Sequence, residues 1–295
     1  MDKKRKLIFC GGDRRLIYCA SFFAADGFDC RVWRGETADS DGVTRIRELR
    51  QNCDGAEALI LPIPAFTSSG KLICAGEERV CVDCEYIFKA VQPDTKIFGG
   101  KFADIVKRVA AEYNHEVCDY SLREEFSLMN AVPTAEAAVS IAMNRLSKTL
   151  WNSKIAVLGY GRIGRALSMR VHALGARVTV AARSASARAA AESDGMKSVE
   201  LSAWLDSPEE CSICFNTVPC QIVHDECAAA AGNTVFVDLA SAPGGFTDEA
   251  RSMLGDRLIT ALSLPGKYFP ETAGRIIYRT VGGMLAENGE RGDTK

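Results

Sequence analysis

The sequence lacks any long apolar run, and its basic start, MDKKRK (1–6), is followed only by a short apolar segment at 7–10. A membrane span needs about 18 apolar residues, and an export signal needs a longer apolar stretch than this one. An excess of one charge is also missing, since 36 basic and 38 acidic side chains leave a net charge of −2. We therefore expect a cytoplasmic protein that binds neither membranes nor nucleic acid.

The 12 cysteines are scattered through apolar segments, which is not the arrangement of a small disulfide-bonded domain. Reduced and buried thiols are the expected state in a chain without an export signal. Two CxxC pairs, Cys81/Cys84 and Cys211/Cys214, leave a four-thiolate zinc site as an alternative. Because each pair lies beside or within an expected strand, and not in a knuckle turn, we expect no metal site.

The first half of the chain alternates short apolar runs with helical patterns, which predicts a parallel sheet with helices on both faces. The expected strands cover residues 7–12, 28–33, 57–64 and 96–100. Ligands of such sheets bind beyond the carboxyl ends of the strands. We therefore expect three segments to cluster at that edge, namely GGDRR (11–15), PIPAF (62–66) and FGGKF (98–102).

The second half repeats this alternation, with expected strands at residues 154–158, 177–182, 212–219, 235–241 and 256–264. We predict an α/β protein with two doubly wound parallel-sheet domains: a flavodoxin-like or Rossmann-like domain at 1–133 and a Rossmann domain at 151–270. Pro133 and Thr134 predict the start of a linking helix at 134–150, with Thr134 as its N-cap. The segment 271–295 is expected to form a final helix that packs toward the first domain and ends in a frayed tail.

The motif GYGRIG places Gly159, Gly161 and Gly164 at the spacing of a dinucleotide-binding turn. It has the context that this motif requires, with an apolar strand before it and a helical pattern and a second strand after it. The helix N-terminus, with Arg162 and Ile163 in its first turn, would offer N–H groups to the phosphates. A glycine turn that has lost its ligand is the alternative.

The next strand ends at Arg183 and Ser184, where an NAD site would carry a carboxylate for the adenosine ribose. Residues 178–188, VTVAARSASAR, contain no Asp or Glu. A guanidinium group fits a phosphate with two parallel hydrogen bonds. We therefore predict NADP, with Arg183, Ser184 and Arg188 near its extra phosphate. A solvent-exposed Arg183 without a ligand is the alternative.

The remaining cofactor contacts are expected at the ends of two later strands: Thr217, Val218, Pro219, Asp238, Leu239 and Ala240. A 2-hydroxy-acid dehydrogenase of this architecture would also need a general base, typically a histidine held by a carboxylate. The segment ALSLPGKYF (261–269), where such an enzyme would carry it, has none, which disfavours that reaction. His224 remains a candidate for this base, but a catalytic role for it is disfavoured.

Polar side chains at the strand ends and on the facing side of the expected cleft indicate a small anionic ligand. These candidates are Arg14, Asn130, Thr134, Glu136, Lys267 and Thr272. Each also has an ordinary structural interpretation as a helix cap, a turn residue or a surface charge.

Seven segments together resemble the A-subunit family of dipicolinate synthase from spore-forming bacteria. They are GGDRR (11–15), NAVPTAEAA (130–138), VLGYGRIG (157–164), VAARS (180–184), FNTVP (215–219), DLASAPGG (238–245) and LPGKYFPETAG (264–274). They follow in this order over nearly the whole chain, and the last segment is the most specific. One departure is Ser263, which stands where the family usually has glycine, and the residues after Lys267 read YF.

The resemblance implies an NADP-dependent oxidation of dihydrodipicolinate, or of its hydrated precursor, to pyridine-2,6-dicarboxylate in the mother cell of a sporulating bacterium. It also implies that the partner is a smaller, flavoprotein-like B subunit, and we expect the chain to form a homo-oligomer. Arg14, Lys267 and the start of the 135–150 helix would bind the dianionic substrate. Glu136 is the first candidate for a proton acceptor. The alternatives are another NADP-dependent oxidoreductase of a small acid, and a nucleotide-binding scaffold that activates its partner.

Overall fold

The computed structural model describes residues 4–36, 42–74 and 82–290, and the chain divides into two compact units. Unit 1 combines Met1–Asn130 with Phe269–Lys295, and unit 2 is the continuous segment Ala131–Tyr268. Within the described residues, no helix is both long enough and apolar enough to cross a membrane.

The described residues of unit 1 form six strands, which are β1 (Lys6–Cys10), β2 (Asp29–Trp33), β3 (Val43–Arg45), β4 (Ala56–Ile60), β5 (Lys96–Gly99) and β6 (Val117–Asp119). They form one sheet in the order β3-β2-β1-β4-β5-β6, and every neighbouring pair is parallel. This is the doubly wound order, in which the chain reverses its direction of winding between β1 and β4.

Helices cover both faces of this sheet. The helices α1 (Arg14–Ala25), α2 (Cys84–Ala90) and α3 (Asp104–Glu112) connect its strands, and α4 (Glu124–Arg145) follows β6 and continues into unit 2. The central strand β1 shows why two covered faces are needed. Leu7 and Phe9 belong to one apolar cluster, whereas Ile8 and Cys10 belong to another. Successive side chains of a strand point to opposite faces, so an entirely apolar strand must be buried on both.

The strands of unit 1 are shorter than the apolar runs that predicted them. The run 57–64 ends as a strand at Ile60, because Pro62 and Pro64 have no N–H group to donate to a neighbouring strand. The short strands β3 and β6 were not predicted, since three residues are too few to show a period.

The three loop segments predicted to meet at the carboxyl edge of this sheet do so. The Ala65 N–H donates to the Gly100 carbonyl at 2.8 Å, and the Gly100 N–H donates to the Pro62 carbonyl at 3.0 Å. Arg15 joins the first loop to the second, because its Nη2 donates to the Ile63 carbonyl at 3.0 Å.

Helix α4 corrects the prediction of a linking helix at 134–150. It begins ten residues earlier, at Glu124, and ends at Arg145, so that Pro133 lies inside it and Thr134 is not its N-cap. A proline inside a helix removes one backbone hydrogen bond, which is why proline is more common at the first helical position. Here α4 accommodates that loss, so Pro133 does not mark the start of the helix. Glu124 and Glu125 occupy the first turn, where acidic side chains interact favourably with the helix dipole.

Unit 2 contains strands β7 (Lys154–Leu158), β8 (Arg177–Ala182), β9 (Lys197–Glu200), β10 (Ile213–Asn216), β11 (Val235–Asp238) and β12 (Leu258–Thr260). The helices after β7 are α5 (Arg162–Ala173), α6 (Ala185–Ser193), α7 (Leu201–Asp206), α8 (Asp225–Ala230), α9 (Asp248–Leu254) and α10 (Leu264–Tyr268). The sheet order is β12-β11-β10-β7-β8-β9, and all pairs are parallel. The predicted fold class of two doubly wound α/β domains is confirmed.

The last helix, α11 (Pro270–Glu290), packs along α1 within unit 1. It begins at Pro270, a residue suited to the first helical position, so Thr272 lies inside the first turn and is not the helix cap. Gly274 lies at the closest approach of the two helices. A Cβ atom there would be 2.5 Å from the Arg15 carbonyl oxygen and 2.7 Å from the Tyr18 Cβ.

We predict that Gly274→Ala lowers the free energy of unfolding by about 1–3 kcal/mol, because the added methyl group would force α11 away from α1. Gly283→Ala on the same helix is the matched control, since nothing lies within 4 Å of its Cβ position. That control should raise stability by about 0.5–1 kcal/mol through helix propensity. Urea unfolding followed by circular dichroism measures both, and equal effects of the two substitutions would contradict the packing argument.

Candidate functional site

The turn after β7 brings backbone segments so close together that two of its positions admit only glycine. Gly159 has a φ of 93°, and a Cβ there would lie 2.6 Å from Thr217 Oγ1. A Cβ on Gly164 would lie 2.2 Å from the Gly159 carbonyl oxygen. The first and third glycines of the motif therefore serve the packing of the turn against β10 and α5.

Gly161 has a different role, because nothing lies within 4 Å of its Cβ position. It is exposed and forms the N-cap of α5, with no side chain to bond the first-turn N–H groups of that helix. Arg162 and Ile163 follow as the first two helical residues, exposed and half-buried respectively. The turn thus presents open space in front of a helix N-terminus, which is a site suited to a phosphate group.

Tyr160, between the first two glycines, ties the turn to the end of α6. Its hydroxyl donates to Asp194 Oδ2 at 2.7 Å, and Arg165 Nε donates to the same oxygen at 2.9 Å. Burial, and then the neighbouring carboxylate, raise the pKa of the Tyr160 hydroxyl. The hydrogen bond from Arg165 lowers the pKa of Asp194. This contact was not predicted, because Asp194 lies in a segment whose pattern indicated only a helix end.

At the end of β8, Arg183 and Ser184 are exposed. Ser184 is the N-cap of α6, and its Oγ accepts a hydrogen bond from the Ala187 N–H at 3.2 Å. Arg188 reaches back to the strand end, where its Nη1 donates to the Ala182 carbonyl at 2.9 Å and the Arg183 carbonyl at 2.6 Å. Arg188 therefore holds the shape of this loop, and the Arg183 side chain extends from it into solvent.

The ends of β10 and β11 are joined by a buried pair, Asn216 and Asp238, which are 0% and 1% exposed. Asn216 Nδ2 donates to Asp238 Oδ1 at 2.8 Å, and Asn216 Oδ1 accepts from the Val218 N–H at 3.1 Å. Asp238 Oδ2 accepts from the Gly245 N–H at 3.1 Å. Asp238, predicted as a cofactor ligand, has its carboxylate turned into the protein, where it supports both loops.

The other predicted cofactor residues on these loops differ in exposure. Thr217 and Val218 are half-buried and Pro219 is exposed, whereas Leu239 and Ala240 are buried. Thr217 Oγ1 donates to the Leu158 carbonyl at 2.8 Å, which joins the β10 loop to the glycine turn. Thr217, Val218 and Pro219 are thus the members of this group that a ligand at the turn can reach most readily.

The segment after β12 carries Ser263 and Lys267. Ser263 has a φ of 59°, in the left-handed region that favours glycine. This explains the glycine that the family usually has at this position. Lys267 is exposed on the short helix α10, and its backbone N–H donates to the Ser263 carbonyl at 3.2 Å.

The remaining predicted substrate residues lie in both units. In unit 1, Arg14 is exposed and its Nη2 donates to the Tyr18 hydroxyl at 3.2 Å, Asn130 is half-buried, and Thr272 is exposed on α11. In unit 2, α4 carries the buried Thr134 and the exposed Glu136. Glu136 Oε1 is paired with Arg170 Nη2 at 3.3 Å. Thr134 and Glu136 are two residues apart and so face different sides of α4.

The cysteines of the CxxC pairs are buried at the three described positions, Cys84, Cys211 and Cys214, and Cys81 lies outside the described residues. Burial raises the pKa of Cys211 to about 11 and that of Cys214 well above its usual value, so both are protonated thiols at neutral pH. In the described ranges no three His, Cys, Asp or Glu side chains are grouped so that they could hold a metal ion.

Comparison with known families matches both units. The family described as the N-terminal domain of the dipicolinate synthase A subunit matches residues 6–121. The family described as the D-isomer specific 2-hydroxyacid dehydrogenase, NAD binding domain, matches residues 128–221.

Individual proteins give the same result over longer stretches. The chain is 28% identical over 233 residues to the dipicolinate synthase A subunit of Bacillus subtilis (strain 168), covering 78% of each chain. A crystal structure of the dipicolinate synthase A subunit from Bacillus halodurans has a TM-score of 0.86 at 26% identity, covering 96% of this chain and 98% of the other. The corresponding Bacillus subtilis structure has a TM-score of 0.85 at 25% identity, covering 99% of both chains.

The fold and the glycine turn therefore define a two-domain protein of the dehydrogenase type, with a Rossmann domain that binds a nicotinamide dinucleotide. Its sequence and structural relatives specify the group more narrowly. The first unit matches the dipicolinate synthase A-subunit family, and nearly the whole chain is similar to dipicolinate synthase A subunits, as its motifs predicted.

We predict that Gly161→Ala leaves the fold intact but weakens dinucleotide binding at least about tenfold, because the methyl group enters the space that the pyrophosphate needs. Gly164→Ala is the contrasting variant, since its methyl group would meet the Gly159 carbonyl and destabilise the turn by about 1–3 kcal/mol. Thermal melting and calorimetric titration with NADP separate the two effects. Unchanged affinity in a stable Gly161→Ala protein would show that the ligand does not approach this position.

Proposed function

We propose that the protein is an NADP-dependent oxidoreductase that converts dihydrodipicolinate, or its hydroxy-tetrahydro precursor, to pyridine-2,6-dicarboxylate. The observation that carries this proposal is the open glycine turn at Gly161 followed by exposed Arg183 and Ser184, in a chain similar to the dipicolinate synthase A-subunit family. The similarity to this family supports the assignment of the substrate, and the residues at the end of β8 support the assignment of NADP as the cofactor.

The preference for NADP rests on what surrounds the end of β8. An NAD site uses a carboxylate there to accept hydrogen bonds from the ribose hydroxyls, and that carboxylate repels a phosphate. Arg183 offers a full positive charge and two parallel N–H donors at this place, and Ser184 adds a hydroxyl group. Arg188 contributes by fixing the carbonyls of Ala182 and Arg183, which sets the direction of the loop.

The fit of the dinucleotide is supported by the rest of the turn. The open space at Gly161 lies before the N-terminus of α5, whose first-turn N–H groups would bind the pyrophosphate. Thr217, Val218 and Pro219 follow β10 at the same edge of the sheet, where the nicotinamide ring would lie. The bound cofactor would supply the hydride acceptor, at C4 of that ring.

The oxidation removes one hydride and one proton from the dihydro ring; the hydroxy-tetrahydro precursor must first lose one water molecule to give that ring. The hydride passes to the nicotinamide and the proton to a base or to water, and the ring becomes aromatic. Because aromatisation supplies driving force, the protein's main task is to bind the dianion and to orient the ring carbon. This accounts for the absence of a histidine from the segment 261–269, where a 2-hydroxy-acid dehydrogenase of this architecture would carry its base.

Binding of the two carboxylates is assigned to cations and to N–H or hydroxyl donors. Arg14, at the start of α1, and Lys267, in α10, are exposed cations. Asn130, Thr134 and Thr272 are the candidate neutral donors. Glu136 is the candidate proton acceptor. Its Oε1 is paired with Arg170, and this exposed ion pair disfavours protonation of the carboxylate.

The proposed setting follows the family as well. A flavoprotein-like B subunit would be the partner, the chain would assemble into a homo-oligomer, and the reaction would take place in the cytoplasm of a sporulating mother cell. A small dicarboxylate is the proposed ligand.

We predict that Arg183→Asp lowers NADP affinity roughly 100-fold, because it exchanges a charge-assisted hydrogen bond for repulsion of the phosphate. NAD affinity should change less than about threefold or improve, since the new carboxylate can accept from the ribose hydroxyls. Calorimetric titration with both cofactors is the measurement. Arg183→Gln, which removes the charge without reversing it, should give an intermediate loss for NADP. A parallel loss of both cofactors would contradict the assignment of NADP.

The direct test of function is turnover of precursor generated freshly from pyruvate and aspartate semialdehyde. We expect NADPH formation at 340 nm together with pyridine-2,6-dicarboxylate, and a much slower reaction with NAD. Each assay is run with and without the B subunit. No NADPH with the B subunit present would favour another small acid as substrate. Full product formation by Gly161→Asp protein with the B subunit would favour a non-catalytic scaffold.

A further inference from the structure

A groove of about 360 Å³ opens within unit 2, between the last turns of α4 and the segment from β12 to α10. Ile141 and Arg145 line it from α4. Ile259, Leu264, Lys267 and Tyr268 line it from the other side. Its volume is within the range of small-molecule sites, about 300–1,000 Å³.

The positive charges of this groove are not neutralised. Arg145 Nη2 donates to the backbone carbonyl of Asp256 at 2.9 Å, and this acceptor carries no net charge. For the ammonium group of Lys267, the described part of the chain provides no hydrogen-bond or ion-pair partner. Among the described lining residues there is also no Asp or Glu. The groove therefore holds two cations and no anion.

Apart from the neutral polar residues Asn144 and Thr260, its other lining residues are apolar or aromatic. Ile141, Ile259 and Leu264 provide aliphatic surface, and Tyr268 presents a ring that is 43% exposed. Such walls are suited to a flat, weakly polar ring. The two cations are suited to a ligand that carries two negatively charged groups. A planar ring with two carboxylates combines these properties.

Another cation-lined cavity in unit 2 shows the contrast. It lies at the amino ends of the strands, and Lys154, Arg177 and Lys197 line it together with Glu209. Glu209 binds Lys154 at 2.9 Å and Lys197 at 3.6 Å, so a carboxylate of the protein already pairs with both lysines. The groove beside β12 has no such internal partner in the described residues, and its charges are available to a ligand.

We propose that this groove is the dicarboxylate site, with Lys267 and Arg145 each pairing with one carboxylate and Tyr268 contacting the ring. The identity of the dianion as pyridine-2,6-dicarboxylate or its precursor rests on the proposed function. Lys267 follows the carboxyl end of β12, on the edge where ligands of doubly wound sheets bind. Arg145, which no sequence motif marks, takes the place of Arg14 as the second cation, because Arg14 belongs to unit 1 and does not line the groove.

The test is calorimetric titration of the full-length protein with pyridine-2,6-dicarboxylate, and with pyridine-2-carboxylate, which lacks one charge. We expect Arg145→Gln and Lys267→Gln each to weaken binding of the dicarboxylate about tenfold, and Arg145→Lys to weaken it less. The monocarboxylate should bind more weakly to the unsubstituted protein, and at least one of the two Gln variants should leave that affinity unchanged. NADP affinity should not move in any of these variants.

Arg257→Gln is the matched control. Arg257 also donates to a backbone carbonyl in unit 2, that of Gly232, but it does not line the groove. Its substitution should leave dicarboxylate affinity unchanged, and thermal melting should show that all variants are folded. No binding of the dicarboxylate to the unsubstituted protein would overturn the proposal, as would equal affinities of the Arg145→Gln and Arg257→Gln proteins.

The same variants separate this proposal from the proposed function. If the protein turns over fresh precursor and Arg145→Gln keeps the original KM, the groove is not the substrate site although the function stands. If Arg145→Gln weakens dicarboxylate binding but the unsubstituted protein turns over no precursor, the groove stands and the function fails.

Discussion

The carboxylate of Asp238 is removed from water at the end of β11, and the edge of unit 2 that faces its ligands is organised around it. Four donors converge on it: Asn216 Nδ2 at 2.8 Å, the Gly245 N–H at 3.1 Å, the Ala240 N–H at 3.3 Å and Arg251 Nη2 at 3.4 Å. A buried charge is tolerated only when its hydrogen bonds are made, so these distances are constrained together. The constraint links the end of β10, the loop after β11 and helix α9. The nicotinamide side of the proposed site is therefore built from segments that cannot move independently.

Much of this architecture can be predicted from the sequence because it depends on local patterns of residues. The strand at 177–182 has the predicted limits, and a helix follows Gly161 as predicted, since apolar period and glycine spacing are local properties. The start of α4 could not be predicted. Pro133 is a residue typical of a first helical turn, but here it lies in the interior of the helix. The orientation of the Asp238 carboxylate could not be predicted either. Its position at a strand end indicated a ligand-facing carboxylate, whereas its partners, such as Arg251, lie in other elements.

The proposed ligand site shows the same division. Lys267 stands in a motif and could be selected from the sequence, whereas Arg145 acquires its significance only because α4 lies beside β12. Glu136 is the converse case: its place in a family segment suggested a chemical role, and the structure adds its ion pair with Arg170. A side chain's charge can be read from the sequence, but the charges that surround it are set by tertiary contacts. Whether a cation is available to a ligand is therefore a property of the fold.

The return of α11 to α1 has a consequence for the order in which the protein can form. Ile276, Ile277, Val281 and Leu285 belong to the same apolar cluster as Leu7 and Phe9 of β1, so the core of unit 1 is made from both ends of the chain. A ribosome releases the N-terminal strands first. Helix α1 covers part of this apolar cluster, and the cluster is completed only when the final helix is synthesised. Unit 2 is continuous and has all its strands by Thr260. The nucleotide-binding unit can thus be complete on the nascent chain while the unit that begins the sequence is still waiting for its last helix.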